Sequence, residues 1–238
     1  MHFSRLPIRS VGEHPLNPID RAAWPATLPA AASLLDGVSL GSATVLVGEN
    51  GSGKSTVVEA IALAYGLSPE GGSVGARHST RGSESQLWDH LQLVRNAGAT
   101  KRGYFLRAET MHGLFTYLEQ NAGFRGDIAF HERSHGESFI DLVEDRFKYA
   151  GLWVLDEPES ALSFNGCLAL LALLKAKMSD GKSQIVLSTH SPLLAALPGA
   201  TIYEVGEWGL RERAWMDLPL VDQHTRFLLD PQSYLDAL

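Results

Sequence analysis

The fold of this chain follows from residues 48–56, Gly-Glu-Asn-Gly-Ser-Gly-Lys-Ser-Thr. They match the pattern G-x-x-x-x-G-K-[ST], with an apolar run at 43–47 before them and an apolar-periodic stretch at 55–65 after them. The run predicts a buried strand, and the periodic stretch predicts a helix. A glycine-rich turn between a strand and a helix directs backbone N–H groups toward one point, where a phosphate can bind.

Each residue type in this loop has a physical role. Gly51 and Gly53 allow a tight turn because they have no Cβ. Lys54 is expected to reach the β- and γ-phosphates of a nucleotide, and the Ser55 hydroxyl is expected to bind Mg²⁺. A chance glycine loop is the alternative, and a Lys-Ser pair in register argues against it. The predicted nucleotide-binding residues of the loop are Asn50, Gly51, Ser52, Gly53, Lys54, Ser55 and Thr56.

A second motif, Asp-Glu-Pro-Glu-Ser at 156–160, follows the apolar run 152–155. Asp156 is expected to hold a Mg²⁺-bound water beside Ser55, and Glu157 is expected to orient and polarise an attacking water. An acidic turn that caps the next helix is the alternative interpretation. Adjacent carboxylates at a buried edge are costly without a cation or hydrogen bonds, which favours the metal site.

A third motif, Ser-Thr-His-Ser-Pro at 188–192, forms the polar end of the predicted buried strand 184–188. His190 could hydrogen-bond a γ-phosphate, although a lone histidine is more often a surface residue. The carboxyl ends of parallel strands meet at one edge of a sheet, where ligands bind, so the three motifs are expected to converge. We therefore predict that Lys54, Glu157 and His190 form the catalytic group.

The remaining pattern alternates strands with helices. Several strands are apolar throughout, which indicates a mainly parallel sheet covered by helices on both faces. We predict one α/β domain over residues 1–238, with an additional small antiparallel β portion or loop region at 66–103 and a helical region at 111–150. The proline-rich segment up to residue 36 predicts strand and loop. Further predicted strands are 87–94, 104–106, 201–205 and 210–215, and further predicted helices are 111–120, 138–149, 162–178, 220–229 and 233–238.

Composition narrows the function classes. The formal net charge of -7 argues against a dedicated nucleic-acid-binding protein, which usually carries a basic face. The single cysteine, Cys167, lies in an apolar run, so we expect a buried, unreactive thiol. The first residues lack the apolar stretch of a signal peptide, and no segment approaches the roughly 18 apolar residues that span a bilayer. We expect a cytoplasmic protein with no membrane insertion of its own.

Together the motifs resemble the ATP-binding-cassette ATPase superfamily. The resemblance is strongest to its soluble branch, which includes SMC-like chromosome-maintenance and double-strand-break repair ATPases and many stand-alone bacterial ATPases. GENGSGKST corresponds to Walker A, LWVLDEPES to Walker B, residues 160–163 to the D-loop and STHSP to the switch motif. The resemblance spans residues 44–191. It implies a P-loop NTPase fold that binds ATP with Mg²⁺ and hydrolyses it.

The resemblance also implies a signature segment, Arg-Ser-His-Gly-Glu-Ser at 133–138. Ser134 and Gly136 fit the key positions of the family motif, while His135 and Glu137 depart from it. In the family this segment binds the γ-phosphate of ATP held by a second subunit. The resemblance therefore implies a head-to-tail homodimer in which Ser134, Gly136 and Glu137 complete the partner's site. A plain helix N-cap explains the same residues, and both interpretations can hold together.

Two further positions are assigned by analogy with the family. The Q-loop glutamine is missing after 104–109, and Glu109 is the expected substitute that contacts Mg²⁺ or water; a simple surface glutamate is the alternative. Trp24, upstream of Walker A, is a candidate for stacking on adenine, and a core tryptophan is the alternative.

The process that ATP hydrolysis drives is left open by the sequence. A stand-alone ATPase coupled to an unknown protein partner is the first hypothesis, and the energising subunit of a transporter is the second. A DNA-maintenance ATPase is the third, but only about 80 residues without heptads separate Walker A from the signature, which leaves no room for coiled-coil arms. A non-hydrolysing, ATP-gated module is disfavoured by the intact Asp156 and Glu157.

Overall fold

The computed structural model describes residues 5–68, 72–73, 85–107, 140, 143–144 and 148–236 of the 238-residue chain. Strands and α-helices within these ranges are numbered in chain order. The strands are β1 (Ile8–Glu13), β2 (Val38–Ser39), β3 (Ala43–Val47), β4 (Gly72–Ser73), β5 (Leu91–Arg95), β6 (Gly103–Arg107), β7 (Leu152–Asp156), β8 (Gln184–Thr189), β9 (Thr201–Gly206) and β10 (Gly209–Glu212). The helices are α1 (Pro29–Asp36), α2 (Lys54–Tyr65), α3 (Phe164–Met178), α4 (Pro192–Ala195), α5 (Pro219–Leu229) and α6 (Pro231–Leu235), with 3₁₀ helices at Gln86–His90, Pro158–Ala161 and Trp215–Asp217.

The main sheet has the strand order β10-β9-β3-β8-β7-β6-β4. Its five inner strands run parallel, and β10 and β4 pair antiparallel at its edges. Every residue of β3, β7 and β8 is buried. A strand covered on both faces needs mainly apolar side chains on both, which is why the middle residues of these strands are apolar without alternation. The predicted α/β fold class is confirmed.

A second, three-stranded sheet is antiparallel and has the order β2-β1-β5. Val11 of β1 stands opposite Val38 of β2 on one side and opposite Leu93 of β5 on the other. The antiparallel portion was predicted inside 66–103, but only β5 of this sheet comes from that region. Its other two strands, β1 and β2, lie within the first 39 residues, so the pairing joins residues far apart in the chain.

Helix α1 corrects the prediction for the N-terminal segment. The many prolines there indicated strand and loop, yet Pro29–Asp36 is helical. Pro29 occupies the first helical position, where a missing N–H costs no hydrogen bond and the fixed φ suits a helix. The apolar residues of α1 share one buried face, formed by Ala30, Ala31, Leu34 and Leu35.

The hydrophobic core lies in two layers on either side of the main sheet. Between the two sheets, Val58 and Ile61 of α2 are buried. On the opposite face, Leu170 and Leu174 of α3 pack against the sheet. Cys167 of α3 belongs to this second layer, is 5% exposed, and its burial raises the pKa of its thiol. The expectation that Cys167 is buried is confirmed.

Other predicted elements have mixed outcomes. The strand at 104–106 is confirmed as β6 and the strand at 201–205 as β9. The strand at 210–215 is confirmed only over 210–212, where β10 ends, and a 3₁₀ helix begins at Trp215. The strand at 87–94 is a 3₁₀ helix followed by β5. The helix at 111–120 and most of that at 138–149 lie outside the described residues, and the single-domain boundary stays a prediction. In the part of the chain that the structure describes, no helix has the length and apolarity to cross a membrane.

Candidate functional site

The loop at 48–53 has the backbone conformation that its glycines allow. Gly51 and Gly53 have φ of 77° and 95°, in the left-handed region that disfavours other residues. Gly48 is needed for a different reason, because a Cβ there would lie 2.5 Å from the carbonyl oxygen of Val205. Helix α2 begins after Gly53, and no side chain caps its N-terminus. Its first N–H groups therefore remain available to an anion.

Lys54 brings a buried positive charge to this loop. Its side chain is 2% exposed, and Nζ donates to the carbonyl oxygen of Glu49 at 2.9 Å and lies 3.6 Å from Glu157 Oε1. Burial lowers the pKa of Lys54, while the charge of Glu157 acts in the opposite direction. The buried Ser52 hydroxyl has no hydrogen-bond partner among the described residues. An uncapped helix, an ammonium group and an unpaired hydroxyl together fit a phosphate group.

Asp156 ends β7 with its carboxylate held on both sides. Oδ1 accepts a hydrogen bond from the Ser188 hydroxyl at 2.5 Å, and Oδ2 lies 3.2 Å from Nε of Arg107. Ser55 stands in the first turn of α2. Hydroxyl and carboxylate oxygens are the ligands that Mg²⁺ prefers, and Mg²⁺ commonly keeps several waters and takes its remaining ligands from substrate phosphates. The residues present fit Mg²⁺, with Asp156 acting through a bound water.

The metal would depend on the nucleotide. Within the described ranges, no group of three or more His, Cys, Asp or Glu residues could hold a metal ion. A Mg²⁺ ion at Ser55 and Asp156 would therefore bind together with phosphate oxygens and water, as is usual at nucleotide sites.

Glu157 has an unusual backbone conformation. Its φ of 48° is the only positive φ of a non-glycine residue in the part of the chain that the structure describes. Such a conformation costs about 1–3 kcal/mol and is often found at functional sites. The Glu157 N–H donates to the carbonyl oxygen of Ser188 at 3.1 Å, and its Oε1 lies 2.7 Å from Nε2 of His190. The turn thus directs this carboxylate toward both Lys54 and His190.

The three predicted catalytic residues meet at one place. Glu157 Oε1 contacts both His190 Nε2 and Lys54 Nζ, at 2.7 and 3.6 Å. These residues follow β7, β8 and β3, which are neighbours in the parallel sheet, so their carboxyl ends lie at one edge. The predicted convergence of the three strand-end motifs is confirmed as geometry.

A cavity of about 620 Å³ adjoins the phosphate loop. Gly48, Ser52 and His190 contribute to its wall, and Leu28 and Trp208 line it as well. Trp24 is 61% exposed, so the alternative of a core tryptophan is wrong. Its role in stacking on adenine stays a prediction.

Arg107 is a site residue that the sequence reasoning missed. It ends β6 in register with Asp156, and its guanidinium contacts Asp156 and Glu59 of α2. Burial alone would lower the pKa of Arg107, but the hydrogen bond and charge of Glu59 raise it. The signal available in the sequence was a charged residue directly after the strand predicted at 104–106, but the sequence prediction named Glu109 in this region. Glu109 and the signature residues Ser134, Gly136 and Glu137 lie outside the described residues.

Comparisons with known proteins show the family of this chain. A family model described as ABC transporter matches residues 36–160. The cytochrome c biogenesis ATP-binding export protein CcmA of Salmonella typhi is 31% identical over 175 residues, which cover 68% of this chain and 81% of that protein. CcmA of Rhizobium meliloti is 30% identical over 175 residues, covering 66% of this chain and 81% of that protein.

Among solved structures, the SMC head domain from Thermotoga maritima aligns with a TM-score of 0.44 at 16% identity, over 75% of this chain and 93% of that one. The family assignment rests on the sequence matches. The matched residues 36–160 are more than half of the 238-residue chain and include both the phosphate loop and the Asp156 motif. The chain therefore belongs to the ABC transporter family and is an ABC-type P-loop ATPase.

Proposed function

We propose that this chain hydrolyses ATP in a head-to-tail homodimer and passes the energy of the cycle to a partner protein. The observation that carries the proposal is the meeting of Lys54, Glu157 and His190 at the carboxyl edge of three adjacent strands, with contacts of 2.7 and 3.6 Å at one Glu157 oxygen. A lysine that contacts the phosphates and a carboxylate that can position water are recurring parts of phosphoryl-transfer sites, and here His190 contacts that carboxylate.

Phosphate binding begins with the loop. The N–H groups from Asn50 to Thr56 hold the β-phosphate, and Lys54 stabilises charge on the β- and γ-phosphates. Glu157 orients a water in line with the γ-phosphate and polarises it. Ser55, and Asp156 through a water, would hold Mg²⁺, which would supply positive charge to the bound phosphates. Catalysis here is mainly positioning and charge stabilisation.

His190 acts on Glu157 and on the γ-phosphate. Its Nε2 contacts Glu157 Oε1 at 2.7 Å, which restricts the carboxylate to one orientation. An imidazole in that position can also meet a γ-phosphate oxygen, so we propose that His190 senses whether the γ-phosphate is present.

The dimer part of the proposal rests on the family resemblance. Ser134, Gly136 and Glu137 of one copy would contact the γ-phosphate held by the other copy, and Glu109 would contact Mg²⁺ or water. Hydrolysis would then require two chains, because neither copy has a complete site. The substrate is ATP, so we expect the protein to work on the cytoplasmic side, where ATP is supplied.

A second candidate function is the energising subunit of a transporter. The observation in its favour is that relatives such as CcmA of Salmonella typhi are named ATP-binding export proteins. Co-purification of this chain with a membrane protein would favour that function. A nucleic-acid partner receives no support from the net charge of -7.

The first test is ATP hydrolysis by wild type and Glu157→Gln across protein concentration, with particle size measured in ATP. We expect wild-type turnover per chain to rise with concentration, because two chains complete the site. Glu157→Gln should lower turnover by about 10²–10⁴-fold, since the water loses its base, and should trap an ATP-bound dimer.

Glu212→Gln is the matched control, because Glu212 is an exposed carboxylate on β10. It should hydrolyse ATP like the wild type. Turnover per chain that stays constant on dilution would contradict the dimer, and normal turnover by Glu157→Gln would remove Glu157 from its proposed role.

A further inference from the structure

We propose that Glu159 is a positioning residue for His190, which it acts on through the backbone of residues 189–191. The inference deepens the proposed ATPase mechanism and rests on it, because it concerns how His190 is brought to Glu157.

One oxygen of Glu159 accepts hydrogen bonds from the first two of residues 189–191, which we call the switch segment. Oε1 accepts a hydrogen bond from the Thr189 hydroxyl at 2.8 Å and another from the His190 N–H at 2.5 Å. Thr189 Oγ1 in turn accepts from the Ser191 N–H at 2.9 Å. Three consecutive residues after the apolar part of β8 are therefore connected to a single carboxylate.

The acidic turn attaches to His190 at two points. Glu157 contacts the imidazole at 2.7 Å, and Glu159, two residues later, accepts from the backbone N–H of the same histidine. Hydrogen bonds to an ionised acceptor are roughly twice as strong as neutral ones. With both its backbone and its ring attached to one turn, His190 has little freedom to move away from Glu157.

The surroundings of Glu159 separate this role from simple stabilisation of the turn. Thr189 is fully buried, so its hydroxyl needs a partner inside the protein. The second oxygen of Glu159, Oε2, is buried and has no hydrogen-bond partner in the part of the chain that the structure describes. Both described hydrogen bonds of the Glu159 carboxylate go to the switch segment.

The consequence for turnover follows from geometry. Without Glu159, the His190 N–H and the Thr189 hydroxyl lose their acceptor, and the segment can shift. Small displacements of a catalytic group can cost about a hundredfold in rate. Loss of Glu159 should therefore lower kcat and leave ATP binding by the loop amides nearly unchanged, because the described hydrogen bonds of its carboxylate go to Thr189 and His190 and not to the loop.

The test compares Glu159→Ala with Asp180→Ala in the full chain. Asp180 is the matched control and lies shortly before β8, at the end of that strand opposite to Thr189. Its carboxylate also accepts hydrogen bonds from two backbone N–H groups and a hydroxyl, namely the N–H groups of Lys182 and Ser183 and the Ser183 hydroxyl. We expect Glu159→Ala to lower kcat by about tenfold to a hundredfold with the Kd for a non-hydrolysable ATP analogue unchanged within about twofold. Asp180→Ala should keep the wild-type kcat even if its Tm falls by as much as that of Glu159→Ala.

A readout independent of activity is the ¹⁵N signal of the His190 ring in histidine-labelled protein, assigned by its absence in His190→Ala. The signal should shift in Glu159→Ala and stay in place in Asp180→Ala. Glu159→Gln retains an amide oxygen as acceptor, so it should recover most of the lost kcat.

A wild-type kcat together with an unshifted His190 signal in Glu159→Ala would overturn this inference and leave the ATPase mechanism unaffected. Wild-type kcat in His190→Ala would overturn the mechanism at His190 and this inference with it. Where Glu159→Ala fails to fold, Thr189→Val decides. It removes one of the two donors at nearly constant volume, so reduced kcat supports the inference and unchanged kcat overturns it.

Discussion

At the residue scale, the charges of the site are paired across elements. Arg107 of β6 lies between Asp156 of β7 and Glu59 of α2, with side-chain exposures of 18%, 6% and 12%. Such a buried group is a weak source of net stability, because removing three charges from water offsets much of their attraction. Removing one partner is different, since the remaining charges stay buried and lose their counter-ion.

Arg107→Met should therefore be strongly destabilising. It leaves the carboxylates of Glu59 and Asp156 without this shared cation, and we expect the free energy of unfolding to fall by about 3–5 kcal/mol. Urea denaturation followed by circular dichroism measures it. Arg226→Met is the control, because the Arg226–Asp222 pair is exposed and should contribute less than about 1 kcal/mol. Equal losses in the two variants would contradict the argument.

At the scale of elements, the two sheets are joined by one buried side chain. Gln184, at the start of β8, is 0% exposed. Its Oε1 accepts from the Ile8 N–H at 2.8 Å, and its Nε2 donates to the carbonyl oxygens of Ile8 at 2.7 Å and Gly41 at 2.8 Å. A polar residue inside a buried parallel strand is costly unless every group is paired, and here the pairing connects β1 to the main sheet.

Gln184→Leu should destabilise the protein, although leucine is similar in volume to glutamine and is an apolar residue in a buried strand. The Ile8 N–H and two carbonyl oxygens lose their partner, and each unsatisfied buried group costs about 1–3 kcal/mol. We expect a loss of at least about 2 kcal/mol in the free energy of unfolding. Gln232→Leu, at an exposed position of α6, is the control for composition. A neutral or stabilising Gln184→Leu would show that the two sheets do not depend on this side chain.

At the scale of the whole molecule, nucleotide binding should appear as stability. A ligand that binds only the folded state at a hundred times its Kd adds about 2.7 kcal/mol to the free energy of unfolding. The phosphate loop connects β3, an inner strand of the main sheet, to α2, which packs between the two sheets. Nucleotide bound at the loop should therefore stabilise the sheet and the helix against unfolding together.

MgATP should raise the Tm of the wild type and leave that of Lys54→Ala nearly unchanged at the same concentration. The variant lacks the buried ammonium beside the predicted phosphate position, so its Kd rises. Differential scanning calorimetry measures both shifts. Lys175→Ala removes an exposed lysine of α3 and should respond to MgATP like the wild type. An equal Tm gain in Lys54→Ala would contradict the assignment of Lys54 to nucleotide binding.

The sequence by itself determined the features that depend on local order. The glycine pattern at 48–56 and the apolar runs of β3, β7 and β8 predicted three strands with polar ends, because φ preferences and burial on both faces act within a few neighbouring residues. Helix α1 was not predicted, because Pro29 at its first position could not be distinguished in the sequence from the prolines of the preceding loop.

The tertiary structure decided which side chains meet. Arg107 and Asp156 are 49 residues apart, Thr189 and Glu159 are 30 apart, and Gln184 and Ile8 are 176 apart. The first two contacts exist because the main sheet pairs β6 with β7 and β7 with β8, and the third exists because β1 of the three-stranded sheet lies beside the start of β8. Local periodicity carries no information about strand order, so the residues that pair the charges and position His190 were visible only once the sheet was assembled.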